Sequence, residues 1–345
     1  MRTGHRRGQT LPASVKVTSA LRRVGLPRTL RCVKAPSFEG HVCAFRLAPD
    51  SSPIVVEAVS GRAMTLVPGD VFLGTPGHRE SNRILVGGVP ERGLVPGRTY
   101  WVLAECGVVG DLTSGTPLAK PFLGQARYLG AVLGEDGETL TMKEFALPAP
   151  RAGANHGARI LLIVGTSAEV GKTTAGLALL SGLLKNGYRT VVVLKATGTS
   201  AVSEIAAYRD YGAAQVFDCV DFGLPTTYPS KRKDMARVFD RALDTCLAIP
   251  ADVVLIECGG DMLAANIPVF LQRFRRRRTR AKVVLAAPDA VGAFGGTLKL
   301  RNMGLPVHLI TGPCTDTPAV RERTQALCRT FAFNLAGTEI EKVTS

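Results

Sequence analysis

The stretch Gly165-Thr-Ser-Ala-Glu-Val-Gly171-Lys172-Thr173-Thr174 constrains this chain more than any other. It follows an apolar run, Arg159–Val164, of the length of a buried strand, and it opens a helical pattern, Thr173–Lys185, closed by Asn186-Gly187. Glycines at a strand-to-helix turn let the backbone wrap closely, so that successive N–H groups point at one anion. The helix that begins at Lys172 adds the positive end of its dipole. A lysine and a threonine at its head complete a phosphate-binding loop: the ammonium reaches the β- and γ-phosphates, and the Thr173 hydroxyl is a natural magnesium ligand. The residues expected around the phosphates are Gly165, Thr166, Ser167, Ala168, Glu169, Val170, Gly171, Lys172, Thr173 and Thr174.

The segments that follow alternate. Thr190–Leu194, Asp252–Ile256, Lys282–Ala286 and Val307–Ile310 have strand character; Lys233–Ala248, Phe270–Arg280, Thr297–Met303 and Ala319–Phe331 have helical character. Alternation of this kind predicts an α/β fold, a doubly wound parallel sheet with right-handed crossovers. Ligands of such sheets bind beyond the carboxyl ends of the strands. Glu257 closes an otherwise apolar strand, where a charge is costly unless paired or metal-bound; the expectation is magnesium, held with Thr173, and a salt bridge is the bland alternative. Lys195 closes another strand and either meets a phosphate or carboxylate or ends in solvent. Thr197, Thr199 and Ser200 could serve a substrate anion. Asp221 is a further candidate magnesium ligand, and Asp261 either supports the metal or simply belongs to its loop. Asp316 would either bind the nucleotide's base or ribose, or cap the last helix. Asp289 with Gly292–Gly296 reads as a glycine-rich loop lining the cleft.

At 345 residues the chain is long enough for about two domains. Residues 1–35, without Asp or Glu until Glu39, read as a basic, flexible tail. From 36 to 147 come short β-rich runs (Ile54–Ala58, Ala63–Val67, Val71–Leu73, Ile84–Val86, Tyr100–Ala104, Tyr128–Leu133, Thr139–Met142) separated by Pro-Gly, Gly-Gly and Asp-Gly turns, which predict a small barrel or sandwich. Residues 148–157 form a Pro/Gly linker, and 158–345 the α/β domain. The net charge of +15 invites a nucleic-acid reading, but the excess sits in the tail and in the run Arg273–Lys282, with few aromatic side chains to stack on bases, so nucleic acid is not the expected partner. Eight cysteines without a C-x-x-C pair, and histidines without metal spacing, suit reduced thiols in a cytoplasmic protein rather than a zinc site. No apolar run approaches the ~18 residues of a membrane span. His78 and Arg79, in the polar stretch Gly74–Arg83, are the candidates from the β-rich half for binding an anion at the cleft; a plain surface loop is the bland and favoured alternative.

The loop is one residue longer than the usual G-x-x-x-x-G-K-[ST], and in this form it resembles dethiobiotin synthetase, whose loop reads G-T-x-x-E-V-G-K-T. Lys195 after Val191–Leu194 resembles that family's lysine facing substrate and phosphates. Ile256-Glu257-Cys-Gly-Gly260 resembles its V-E-G-A-G-G, where the glutamate ligates magnesium. After Lys195, however, Ala196-Thr-Gly-Thr-Ser replaces the family's proline. That stretch, with Asp221-Phe222 downstream, looks more like two-domain P-loop proteins related to D-glutamate N-acetyltransferase, whose motifs run R-A-T-G-Q-T-G and I-E-G-Q-G, although the first half does not look like the Rossmann-like domain found there. The resemblance spans roughly 155–335. It implies the superfamily and the phosphate-binding machinery, not a substrate; the leading expectation, from that machinery, is an ATP- and magnesium-dependent enzyme that phosphorylates a small carboxylate or carbamate, or activates it for ligation. Lys172, Lys195 and Glu257 would be catalytic, and the protein would form a homo-oligomer. A nucleotide-dependent accessory or regulatory protein, and a CoA-dependent acyltransferase whose loop holds the CoA phosphates, remain open alternatives.

Overall fold

The computed structural model describes residues 8–81, 84–150, 157–228, 234–277 and 281–335. The chain divides into two compact units. One comprises Met1–Leu147, Thr199–Ser203 and Cys219–Ser230; the other comprises Pro148–Gly198, Glu204–Asp218 and Lys231–Ser345.

The first unit is built from β1 (Gln9–Thr10), β2 (Lys16–Val17), β3 (Arg31–Val33), β4 (Cys43–Leu47), β5 (Ile54–Glu57), β6 (Ala63–Leu66), β7 (Val71–Pro76), β8 (Arg79–Glu80), β9 (Leu85–Gly88), β10 (Thr99–Ala104), β11 (Val108–Gly115) and β12 (Gln125–Val132). Of the two architectures its sequence allowed, it is a barrel. β4 pairs with β7, β7 with β11, β11 with β10, β10 with β12, and β12 again with β4, so the ring closes on itself. Closure leaves none of these five strands as an open edge. Alternate residues point inward, as a period of two requires: Cys43, Phe45 and Leu47 of β4, Phe72, Tyr100, Val102, Val109, Ala126 and Tyr128 form one buried cluster, which Ile54, Val56 and Leu66 of the β5–β6 hairpin join. Within it Phe45 stacks on Phe72 with ring centres 5.5 Å apart.

Two expectations for this half are corrected, and one strand went unrecognised. The stretch 8–35 is not a flexible tail: β1 and β3 extend the sheet beside β12, β2 pairs with β7, and Leu11, Ala20, Leu21 and Cys32 are buried. An excess of arginine dominated its composition, and a few buried apolar residues and the backbone pairings were enough to anchor it. Val108–Gly115 is a full strand, although its glycines and polar residues hid it. Thr139–Met142 is not a strand; it makes isolated bridges from Thr139 and Thr141 and then turns through a short 3-10 helix, Met142–Phe145.

The second unit contains β13 (Arg159–Gly165), α1 (Lys172–Lys185), β14 (Val191–Thr197), α2 (Val202–Asp210), β15 (Gln215–Phe217), α3 (Met235–Leu247), β16 (Val253–Cys258), α4 (Ile267–Arg276), β17 (Ala281–Ala286), α5 (Ala290–Asn302), β18 (Val307–Thr311) and α6 (Pro318–Cys328), the first residues of α2 falling in the other unit. All the strand pairings here are parallel, in the order β15-β14-β16-β13-β17-β18. This is the doubly wound P-loop fold expected from the alternation. β13 lies between β16 and β17, so the chain moves one way from it through α1 and later returns on its other side; the carboxyl end of β13 is the switch point at which such sheets hold ligands.

α2 and β15 went unrecognised because the stretch 199–217 is short in apolar period. α5 was expected as a loop up to Gly296 and instead begins at Ala290, with the Asp289 carboxylate accepting from the Gly292 N–H at 2.7 Å as its N-cap. Glycine at 296 reflects close packing rather than a loop: a Cβ there would lie 2.6 Å from Thr166 Cγ2 and 3.0 Å from the Leu285 side chain. The basic helix α4 packs Phe270 edge-on against Phe239 of α3 at 5.4 Å. Two arginines of the run are partnered: Arg273 Nε donates to Asp240 at 3.0 Å, and Arg277 reaches both Asp240 and Asp244. Arg278 and Arg280 of that run lie outside the described residues. Among the described residues no helix is long and apolar enough to cross a membrane. All eight cysteines are buried and none is in a disulfide.

Candidate functional site

The site of the second unit starts with the turn from β13 into α1. Gly171 sits at φ 80°, a left-handed conformation that a side chain would resist, and it swings the chain into the helix so that the first N–H groups of α1 face the loop. Glu169 is also left-handed, at φ 56°, and Ala265 and Asn266 repeat this after β16 at 51° and 56°. Strain of this kind concentrates where loops are shaped for ligands. Gly165 leaves room for the lysine that the loop encloses: a Cβ there would stand 2.7 Å from Lys172 Cδ.

Lys172 is 6% exposed, and its Nζ donates to the Ser167 carbonyl at 2.8 Å. Burial lowers its pKa to about 8, against the opposing pull of Glu257, and the nearby Lys195 lowers it further. An ammonium curled inside its own loop, short of solvent and of a full counter-charge, is a group prepared for an anion. Thr173, the next residue, donates from its hydroxyl to Glu257 Oε1 at 2.9 Å. Glu257 is 1% exposed, and its other oxygen accepts from the Tyr208 hydroxyl at 2.7 Å. Lys195 stands level with Glu257 on the neighbouring strand and forms an ion pair with Glu204 of α2. Burial, and then the charge of Glu257, also push the Cys258 thiol pKa up, so that side chain stays a neutral packing residue.

The second unit therefore brings together Lys172, Thr173, Glu257 and Lys195. Asp261 is buried close by, its carboxylate accepting from the Leu263 N–H at 3.0 Å in a local turn. The Thr197 hydroxyl donates to the Gly259 carbonyl at 2.8 Å, tying the two loops together. Thr166, the second residue of the loop, has a buried hydroxyl oxygen with no hydrogen-bond partner among the described residues. Gly312, after β18, approaches the loop closely: a Cβ there would lie 2.8 Å from the Val170 carbonyl. Beyond it Asp316 is exposed and accepts from Asn334 at 3.2 Å, and Thr317 rather than Asp316 holds the N-cap position of α6.

Other candidates fall elsewhere. Asp221 belongs to the first unit, where its carboxylate pairs with Arg23 at 3.1 Å. Ser200, also of that unit, directs its hydroxyl to Cys106 Sγ at 3.3 Å, and Thr199 bridges to Thr226. Arg79 is buried within the barrel unit, donating to the Leu103 carbonyl at 2.8 Å with its guanidinium 5.0 Å from the centre of the Phe122 ring. His78 is pushed below the usual histidine pKa by burial. Both line a cavity of about 370 Å3 with Glu80, Gly88, Asp111 and Thr113. Asn82 and Arg83 lie outside the described residues. Among the described residues no three His, Cys, Asp or Glu side chains gather as a metal cluster. The oxygens of Thr173 and Glu257 are nonetheless the hard donors that magnesium takes alongside phosphate oxygens and water, so these residues fit that ion.

Sequence reasoning missed Glu204 and Tyr208. Their spacing of four on one short helix was the available signal, but an aromatic residue at helical spacing reads first as core.

No family model matches this chain, and no curated protein does. Among solved structures it is similar to the signal recognition particle 54 kDa protein of Aeropyrum pernix in complex with GDP, at 18% identity and a TM-score of 0.37, covering 54% of this chain and 43% of that one. The signal recognition particle receptor FtsY of Elizabethkingia anophelis gives 17% and 0.37 over 58% of this chain and 65% of that one. The cell division protein FtsY of Thermotoga maritima gives 21% and 0.39 over 58% and 69%. The chain thus spans less than half of the first of these proteins and about two thirds of the others. None of the three is a dethiobiotin synthetase, and that resemblance rests on the motifs quoted for it alone.

Proposed function

We propose that the second unit binds a nucleoside triphosphate with magnesium and transfers its terminal phosphoryl group, with ATP as the nucleotide and a small carboxylate or carbamate as acceptor. The observation that carries this reading is the pairing, at the head of α1, of a buried Lys172 folded onto its own loop with the Thr173–Glu257 contact beside it. Phosphoryl transfer asks a protein for positioning and charge neutralisation more than for covalent chemistry. The N–H groups of the loop and the start of α1 hold the phosphates. Lys172 leaves the Ser167 carbonyl and neutralises the terminal oxygens. Thr173 and Glu257 would hold magnesium, which supplies charge stabilisation on the transferred group when bound. Lys195 would orient the acceptor anion after exchanging Glu204 for it.

The ion pair between Lys195 and Glu204 favours a second reading, a nucleotide-dependent regulatory protein, because the cation that an acceptor would use is already neutralised within the unit. Calorimetric titration with ATP, GTP and coenzyme A, each with and without magnesium, separates the classes. Binding of ATP that is lost in Lys172→Ala, with phosphate release stimulated at least ~10-fold by one member of a panel of small carboxylates, is the expected result. Slow hydrolysis that no acceptor stimulates supports the regulatory reading. Binding of coenzyme A alone overturns both.

A further inference from the structure

Tyr208 is fully buried, and its hydroxyl reaches Glu257 Oε2 at 2.7 Å while Thr173 occupies Oε1 at 2.9 Å. Helix α1 is shaped around that hydroxyl. Position 176, one turn beyond Lys172, is glycine, and a Cβ there would lie 1.9 Å from the Tyr208 hydroxyl oxygen and 2.8 Å from its Cζ. Glycine inside a helix is less favourable than alanine, and a phenylalanine at 208 would fill the apolar part of the same space. The polar tip therefore answers to Glu257 rather than to packing. A carboxylate whose one oxygen is fixed in this way has its rotation about χ3 removed and presents its remaining oxygen in a single direction.

We propose that Tyr208 is a positioning residue for the metal: by occupying Glu257 Oε2 it aims Oε1 at the Thr173 hydroxyl, and Gly176 exists to admit it. This rests on the reading of Glu257 as a magnesium-holding carboxylate. Groups that orient metal ligands through hydrogen bonds are generally worth 10- to 100-fold in metal affinity.

The test uses the full chain and the variants Tyr208→Phe and Gly176→Ala, the second of which keeps the hydroxyl but drives it from its place. Manganese, as the spectroscopic substitute for magnesium, is titrated into the nucleotide-loaded protein and followed by electron paramagnetic resonance; nucleotide affinity is measured separately in EDTA. Both variants should bind nucleotide in EDTA within about 2-fold of the parent, and both should bind manganese on the order of 10-fold more weakly. In a Glu257→Gln background Tyr208→Phe should have no further effect on manganese affinity. A lowered melting temperature with unchanged manganese affinity would show a purely structural tyrosine and overturn the proposal. If the parent protein binds nucleotide but gains nothing from any metal, the functional reading itself fails, and the proposal goes with it.

Discussion

Lys172 carries the sharpest residue-scale consequence. Its pKa is lowered to about 8 from 10.5, so at pH 8 the ligand-free protein holds the ammonium about half protonated. A bound polyphosphate favours the charged form, and binding must then draw in a proton. Titration with nucleotide at pH 8 in buffers of different ionisation enthalpy should show uptake of roughly half a proton, falling toward zero at pH 6.5. Uptake that stays the same across that range would assign the proton elsewhere. The same shift acts on stability. Because the folded state disfavours the charge, the unfolded chain binds more protons between pH 8 and 10.5, and stability rises with pH across that window; Lys172→Met should flatten the rise in urea denaturation. The residues legible in the sequence, Lys172, Thr173 and Glu257, are those whose side-chain chemistry is fixed by phosphate or metal. Tyr208 and Glu204 were not legible, because their roles arise only when α2 is laid against β14 and β16.

At the scale of elements, periodicity exposed most of the strands and helices of the second unit, but glycine misled twice, in opposite senses. In β11 it concealed a strand, and in α5 it was taken for loop when it marks a close approach. Gly296→Ala would gain about 1 kcal/mol of helix propensity. It would also force a methyl group against Thr166 Cγ2 at 2.6 Å and Leu285 at 3.0 Å, and overpacking of this kind costs ~1–3 kcal/mol. The clash should win. The variant should melt lower than the parent and bind nucleotide more weakly, because Thr166 is part of the phosphate loop. Thr166→Ser, which removes Cγ2, should recover at least half of the loss when combined with it, and additive effects in that double-mutant cycle would refute the contact. α2 supplies a second case. Its first two residues belong to the first unit, and there the buried Glu57 carboxylate accepts the N–H groups of Val202 and Ser203 at 2.7 Å each, and the Ser19 hydroxyl as well. Nothing local in the sequence announces a cap supplied from residue 57. Glu57→Ala strands two buried donors, on Ser19 and Val202, and a part-buried one on Ser203, at ~1–3 kcal/mol for each buried group before water enters, and should lower stability by about 3 kcal/mol in denaturant unfolding, well beyond an ordinary surface substitution.

Over the whole molecule, the sequence suggests two modules in line, with a Pro/Gly linker between them. The composition of the first unit is less simple, since it includes Thr199–Ser203 and Cys219–Ser230, which lie beyond that linker. Those pieces are held by specific bonds inside the unit. Besides the two N–H groups on Glu57, the Thr226 hydroxyl donates to the His78 carbonyl at 2.9 Å, Asp221 pairs with Arg23 at 3.1 Å, and the Leu147 N–H donates to the Asp221 carbonyl at 2.7 Å. Contacts so distant in sequence leave no local signature, and for that reason only the folded chain reveals them. They also dictate the outcome of cutting the linker. If residues 151–156 are replaced by a specific protease site and cleaved, the fragment that begins at 157 carries away two pieces of the first unit, and the fragment that ends at 150 keeps buried partners for them. Separation would strand the Glu57 carboxylate and the groups on Val202 and Ser203, at a cost of several kcal/mol. The cleaved protein should therefore elute from a sizing column as one species in native buffer, melt in a single transition close to that of the intact chain, and come apart only in denaturant. Two native fragments that elute separately, each with its own cooperative melt, would mean that the pieces at 199–203 and 219–230 are not part of the first unit's stable core.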